Sequence, residues 1–83
     1  METNKSDYYL IVMQTGDKFM FVRTENDVDN GGFVDADPKY FAILGKENAE
    51  KEMKQLKEYA NSKGWYGLHF FLEKEDIYEE YDI

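Results

Sequence analysis

The chain of 83 residues contains no cysteine, one proline and one histidine. Without cysteine there is no disulfide, no thiol nucleophile and no cysteine-ligated metal, and the absence fits a reducing compartment. His69 stands between Leu68 and Phe70, and the only serines are Ser6 and Ser62. We therefore interpret His69 as a strand residue rather than a general base. The sequence predicts no enzymatic activity, no catalytic residue and no cofactor.

Long apolar runs and basic stretches are absent as well. The first apolar run begins at Tyr8 and has the length of a strand, and no small-residue cleavage site follows it, so we expect a core strand rather than a signal peptide. No segment is long enough to span a membrane. The lysines of residues 46–57 are interleaved with glutamates, which is typical of a solvated helix face rather than a nucleic-acid-binding stripe. The sequence favours a cytoplasmic protein that binds neither membrane nor nucleic acid directly.

Acidic residues dominate the charge of the chain. Its 18 aspartates and glutamates against 10 lysines and arginines give a formal net charge of -8, while 42% of the residues are hydrophobic. That apolar content suits one small core, so we expect a single domain over 1–83, with residues 1–6 flexible and 74–83 forming an acidic aromatic tail. The charge repels nucleic acid and steers the protein toward basic surfaces, although it also serves solubility.

Local patterns predict an α+β fold with the element order β-β-β-α-β. The sheet is expected to be small and mostly antiparallel, with one amphipathic helix packed on one face. A Gly16-Asp17 turn joins the first two strands, and Phe33 could add a short edge strand. Apolar residues spaced by four, three and four define the helix stripe: Ala49, Met53, Leu56 and Ala60. The predicted segments are strands at 7–15, 18–25 and 39–44, a helix over 46–64, and a last strand at 65–74.

The first strand is apolar on both sides. Tyr8, Leu10 and Val12 alternate with a second apolar set, whereas the single helix covers one face of the sheet. The other face needs a second cover, which the tail, a second copy in a homodimer or a partner protein could supply. The candidate residues of that second-face interface are Tyr9, Ile11, Met13 and Phe71.

The segment 27–38, with the sequence DVDNGGFVDADP, matches part of the pattern of a calcium-binding loop. With Asp27 at the first loop position, Asp29, Gly32 and Asp35 match the EF-hand pattern. Gly31 then stands where a ligand oxygen belongs, and Pro38 where the bidentate glutamate belongs. The segment is therefore predicted to be a connection with a flexible Gly-Gly turn. No metal ligand is assigned, and weak calcium binding stays as an alternative.

The remaining acidic residues form two groups, one in this connection and one in the tail. They predict an acidic surface that binds a basic partner, with the tail tyrosines as anchors. In size and charge alone, the chain is similar to small phage or mobile-element inhibitors that imitate nucleic acid and occupy the basic groove of a nucleic-acid-binding protein. The alternative is an acidic accessory or immunity-type protein, or a homodimer, that binds without mimicry. The candidate partner-binding residues are Asp27, Asp29, Asp35, Asp37, Glu73, Glu75, Asp76, Tyr78, Glu79, Glu80, Tyr81 and Asp82.

Overall fold

The computed structural model describes residues 5–35 and 37–78. Within them, four strands form an antiparallel sheet and one long helix packs against it, which confirms the predicted α+β fold. The elements are β1 (Lys5–Thr15), β2 (Lys18–Val22), α1 (Glu25–Asp29), a 3-10 helix (Pro38–Tyr40), β3 (Ile43–Leu44), α2 (Lys46–Ser62) and β4 (His69–Tyr78).

Strand β1 is the centre of the sheet. One of its edges pairs with β4 along residues 5–14. The other edge pairs with β2 along residues 11–15 and with β3 at residues 8 and 9. All three pairings are antiparallel, so β3 and β4 run in the same direction on opposite sides of β1. Helix α2 connects them and packs on β1 and β4.

Helix α2 agrees with the predicted stripe. Ala49, Leu56 and Ala60 are buried, and Met53 packs at the margin of the same core. Their sheet partners include Ile11, Met13, Met20, Val22, Ile43 and Phe70. Gly64 follows the helix with a φ of +78°, the left-handed conformation expected at this position. The N–H of Trp65 then donates to the Ala60 carbonyl at 3.0 Å, which closes the helix end.

The connection after β2 contains a helix that the sequence reasoning missed. Thr24 is the N-cap of α1, and its hydroxyl accepts the N–H of Asp27 at 3.2 Å. The Asp27 carboxylate accepts the Thr24 N–H at 3.0 Å in return, which completes a capping box. Strand β2 therefore ends at Val22, because Thr24 turns the chain into α1. The prediction of a strand to Glu25 followed by a plain loop was wrong.

The predicted third strand over 39–44 is also corrected. Asp37 caps a 3-10 helix by accepting the N–H of Lys39 at 3.1 Å, and Pro38 occupies its first position, where the missing N–H costs nothing. Only Ile43–Leu44 pairs with β1. The short edge strand expected near Phe33 is present as a single bridge, in which Phe33 and Phe21 exchange both backbone hydrogen bonds.

The last strand is displaced toward the C-terminus. It begins at His69 rather than at Trp65, and it continues to Tyr78, which pairs with Lys5. Residues 5–6 of the predicted flexible start and residues 74–78 of the predicted tail lie in the sheet. The apolar alternation that guided the prediction ends at Leu72, whereas the backbone ladder continues through the charged residues that follow.

Candidate interaction surface

The two faces of the sheet have different partners. Ile11 and Met13 lie on the face that packs against α2, with the partly buried Tyr9 beside them. Because side chains alternate along a strand, Leu10 and Val12 lie on the opposite face, and they are buried as well. Val12 is paired with Phe21 on one side and with Phe71 on the other. Phe71 therefore belongs to the face without a helix. The second-face set predicted from the sequence does not form one surface, since Tyr9, Ile11 and Met13 are on the helix side.

Aromatic rings cluster on the face opposite α2, which we call the aromatic face. Phe19 and Phe71 are in edge contact, with their ring centroids 6.2 Å apart. Phe41 lies 6.1 Å from Phe21 and 5.6 Å from Phe33, so the connection after α1 returns to this side of the sheet. Phe41 is buried, whereas Phe19 is 52% exposed and Phe33 is 41% exposed. The rings thus form two groups on this face, Phe19 with Phe71 and Phe41 with Phe21 and Phe33, and each group has a ring that is open to solvent.

Charge is distributed unequally between the two faces. Helix α2 carries four lysines and four glutamates, so it is neutral overall. Lys18 and Lys74 stand opposite Thr15 and Tyr9, which places both lysines on the helix side of the strands. Glu73 and Glu75 stand opposite Leu10 and Tyr8, on the aromatic face. At the described strand positions of that face there is no lysine or arginine. The aromatic face is therefore the more acidic one.

Three of the four aspartates in the connection have local structural roles. Asp27 completes the capping box, and it also accepts the N–H of Arg23 at 2.9 Å. Asp37 caps the 3-10 helix. The Asp29 carboxylate accepts the Tyr59 hydroxyl at 2.7 and 2.8 Å, which ties α1 to α2. Asp35 is exposed, and the described part of the chain shows no hydrogen bond to it.

The Asp29–Tyr59 contact changes the pKa of the tyrosine. The hydrogen bond to the carboxylate, assisted by the desolvation of the phenol and by the negative charge of Asp29, raises the pKa of Tyr59 to about 12. The Tyr59 ring also meets Trp65 edge-on at 6.3 Å, and the Lys63 ammonium lies 5.4 Å from its centroid. These contacts secure the end of α2 to α1 and to the turn that follows.

A shallow apolar hollow of about 380 Å³ opens beside this contact. Met13, Met20, Val28, Trp65 and Leu68 supply its apolar lining, with Asp29 at its margin. Asp29 already accepts the Tyr59 hydroxyl, so the one carboxylate of the hollow is engaged within the fold. The lining offers no convergent set of polar groups of the kind that orients a substrate.

The other predicted site residues are placed as follows. Asp76 and Tyr78 lie in β4, while Glu79, Glu80, Tyr81 and Asp82 are outside the described residues. β2 and β4 flank β1 on opposite edges, so the aspartates that follow β2 are separated from the glutamates of β4 by the width of the sheet. The described members of the two acidic groups thus lie toward opposite edges of the sheet. Sequence reasoning also missed Phe19, Phe21, Phe33 and Phe41, although the alternation of apolar residues in β2 was available as a signal.

In residues 5–35 and 37–78, no group of three or more acidic or histidine side chains is arranged to hold a metal ion. No helix in the same part of the chain is long and apolar enough to cross a membrane. His69 is exposed at the start of β4, where its ring lies 5.9 Å from that of Phe71.

Comparison of the chain with protein-family models, curated proteins and solved structures gives no match. The aromatic face and its charges are therefore the features of the chain that point to a function.

Proposed function

We propose that this chain is a small, non-enzymatic protein-interaction module whose aromatic face binds a basic surface of a partner protein. The observation that carries the proposal is that the partly open rings share one face of the sheet with Glu73 and Glu75. Aromatic side chains are the commonest anchors of protein interfaces, and arginine is enriched with them. The excess of negative charge adds steering toward a basic partner.

The geometry of the face supports this proposal in a second way. The Phe19 ring is 52% exposed but makes an edge contact with Phe71, whose neighbour on β1 is the buried Val12. A ring that is already ordered loses little conformational entropy when a partner covers it. The open rings therefore offer apolar area at a low entropic cost, which is a property of interface anchors.

A matched pair of substitutions tests the proposal. Phe19→Ser removes an exposed ring from the aromatic face, whereas Tyr66→Ser removes a more exposed ring from the turn before β4. A protein captured from the native host by the parent chain would be purified and titrated by calorimetry with the parent chain and with each variant. We expect Phe19→Ser to weaken binding at least tenfold, about 1.4 kcal/mol, and we expect affinity to fall with added salt. Equal binding by the two variants, or affinity independent of salt, would contradict the proposal.

Nucleic-acid mimicry is a narrower form of the same proposal, and competition separates it from the alternatives. If the purified partner binds nucleic acid, an unlabelled duplex should displace this chain from it when both use one groove. Simultaneous binding would instead support an accessory or immunity-type role. Sedimentation of the isolated chain tests the homodimer, because self-association that Phe19→Ser abolishes would assign the aromatic face to a second copy.

A further inference from the structure

Strand β4 forms an edge of the sheet and is ten residues long. Its register with β1 is continuous from Lys5–Tyr78 to Gln14–His69, without a bulge, and the strand contains neither glycine nor proline. No strand within residues 5–35 and 37–78 pairs with its outer edge. The outer edge of β2 differs, because Phe33 pairs with Phe21 there. A long and regular unpaired edge is a template for an additional strand.

The alternation of hydrogen-bonded and non-hydrogen-bonded pairs in the β1–β4 ladder shows which backbone groups of β4 point to its outer edge. Gly45 directly follows β3, and its N–H donates to the Asp7 carbonyl at 3.0 Å. The backbone N–H and C=O groups of Asp7 therefore point toward β3 and away from β4. Asp7 and Asp76 are consequently a non-hydrogen-bonded pair of the β1–β4 ladder. Alternation then directs the N–H and C=O groups of Phe70 and Leu72 outward, while those of Phe71 and Glu73 point to β1. The two-residue turn after Thr15 makes Thr15 and Lys18 a hydrogen-bonded pair, so the backbone groups of Thr15, like those of Asp7, point away from β4.

The charges beside this edge select the incoming strand. If a second copy paired antiparallel through the same edge along most of the strand, Glu73 would lie opposite Glu73 or Glu75 of that copy, and such like-charge contacts destabilise strand pairing. A strand rich in lysine or arginine is attracted by the same carboxylates, so its pairing with β4 is favoured. We infer that the outer edge of β4 accepts an extended, basic segment of the partner as an added strand. This inference rests on the proposed function and specifies how the partner is held.

Two synthetic peptides serve as probes. In one of them, ten residues long, lysine alternates with valine, and in the matched peptide glutamate replaces lysine. Amide hydrogen exchange followed by NMR would report on Phe70 and Leu72. The lysine peptide is expected to slow their exchange at least tenfold, to leave Phe71 and Glu73 unchanged, and to lose its effect in high salt. The glutamate peptide is expected to have no effect.

Chemical synthesis of the full chain allows a second, independent test. N-methylation of Leu72 removes an outward donor while keeping the side chain, so the fold should persist and binding of the lysine peptide should weaken at least tenfold. The unmodified synthetic chain is the control. N-methylation of Glu73 should disrupt the β1–β4 ladder, because the Glu73 N–H points to β1. If the purified partner is lost with Phe19→Ser but retained with N-methyl-Leu72, the proposed function stands and the edge inference fails.

Three further results would overturn the inference. The first is binding of the lysine peptide without protection of Phe70 and Leu72. The second is an equal effect of the two peptides. The third is protection that grows with protein concentration in the absence of peptide, because it would assign the edge to a second copy.

Discussion

A single methyl group at Gly32 tests how closely the connection packs on β2. Gly32 has a φ of +77°, and a Cβ atom built there would lie 2.5 Å from the Cβ of Met20 and 3.3 Å from a methyl carbon of Val22. Gly31 has a similar φ of +84°, yet a Cβ atom there would meet nothing within 4 Å. Gly31→Ala and Gly32→Ala therefore share the same kind of backbone strain and differ in the collision with β2.

The expected magnitudes follow from that difference. An L-residue in the left-handed region costs roughly 1–2 kcal/mol, which is the whole effect expected for Gly31→Ala. The Met20 Cβ is fixed to the strand backbone and cannot rotate away, so Gly32→Ala should lose about 1–3 kcal/mol more through overpacking. Urea unfolding measures both losses, with Trp65, the one tryptophan of the chain, as fluorescent reporter. Equal losses in the two variants would refute the close approach of Gly32 to β2.

Two further predictions concern aspartates of the connection. Asp27→Ala removes the capping box and should lower the free energy of unfolding by about 1 kcal/mol in a urea titration. The control Asp35→Ala should stay within about 0.5 kcal/mol of the parent chain, and equal losses would contradict the capping role. The hydrogen bond to the Asp29 carboxylate raises the pKa of Tyr59 from 10.0 to about 12. This hydrogen bond therefore contributes its full stability below pH 10.0 and loses it as the pH rises through about 12. An absorbance titration should show a tyrosine that ionises late, and Asp29→Asn should lower its midpoint; an unchanged midpoint would contradict the assignment.

The elements that the sequence predicted well are those with a repeated pattern. Helix α2 has 17 residues and a stripe that recurs through its whole length, and the β1–β2 hairpin joins two apolar strands through a glycine turn. Helix α1 has five residues and one buried apolar side chain, Val28, so no period can be read from it. Its signal was the capping pair Thr24 and Asp27, which the neighbouring glycines and acidic residues obscured.

The assignment of faces could not be made from β1 alone. Both of its alternating sets are apolar, so hydrophobicity does not say which set meets the helix. Pairing with β2 removes the ambiguity in the structure, because Met20 and Val22 accompany Met13 and Ile11 beneath α2. Long-range register of this kind is a tertiary property and is absent from the local pattern.

The roles of the acidic residues now differ according to their place in the fold. Charge reversal at Asp27, Asp29 or Asp37 would remove a cap or a link between helices, so a loss of binding in such variants would be confounded by a loss of structure. Glu73 and Glu75 are different, since their backbones are held in the β1–β4 ladder while no hydrogen bond or ion pair is made to their carboxylates among residues 5–35 and 37–78. The two glutamates also flank both the aromatic face and the outer edge of β4. The acidic-surface hypothesis is therefore best tested at β4, where charge can be changed while the local structure of the connection is left intact.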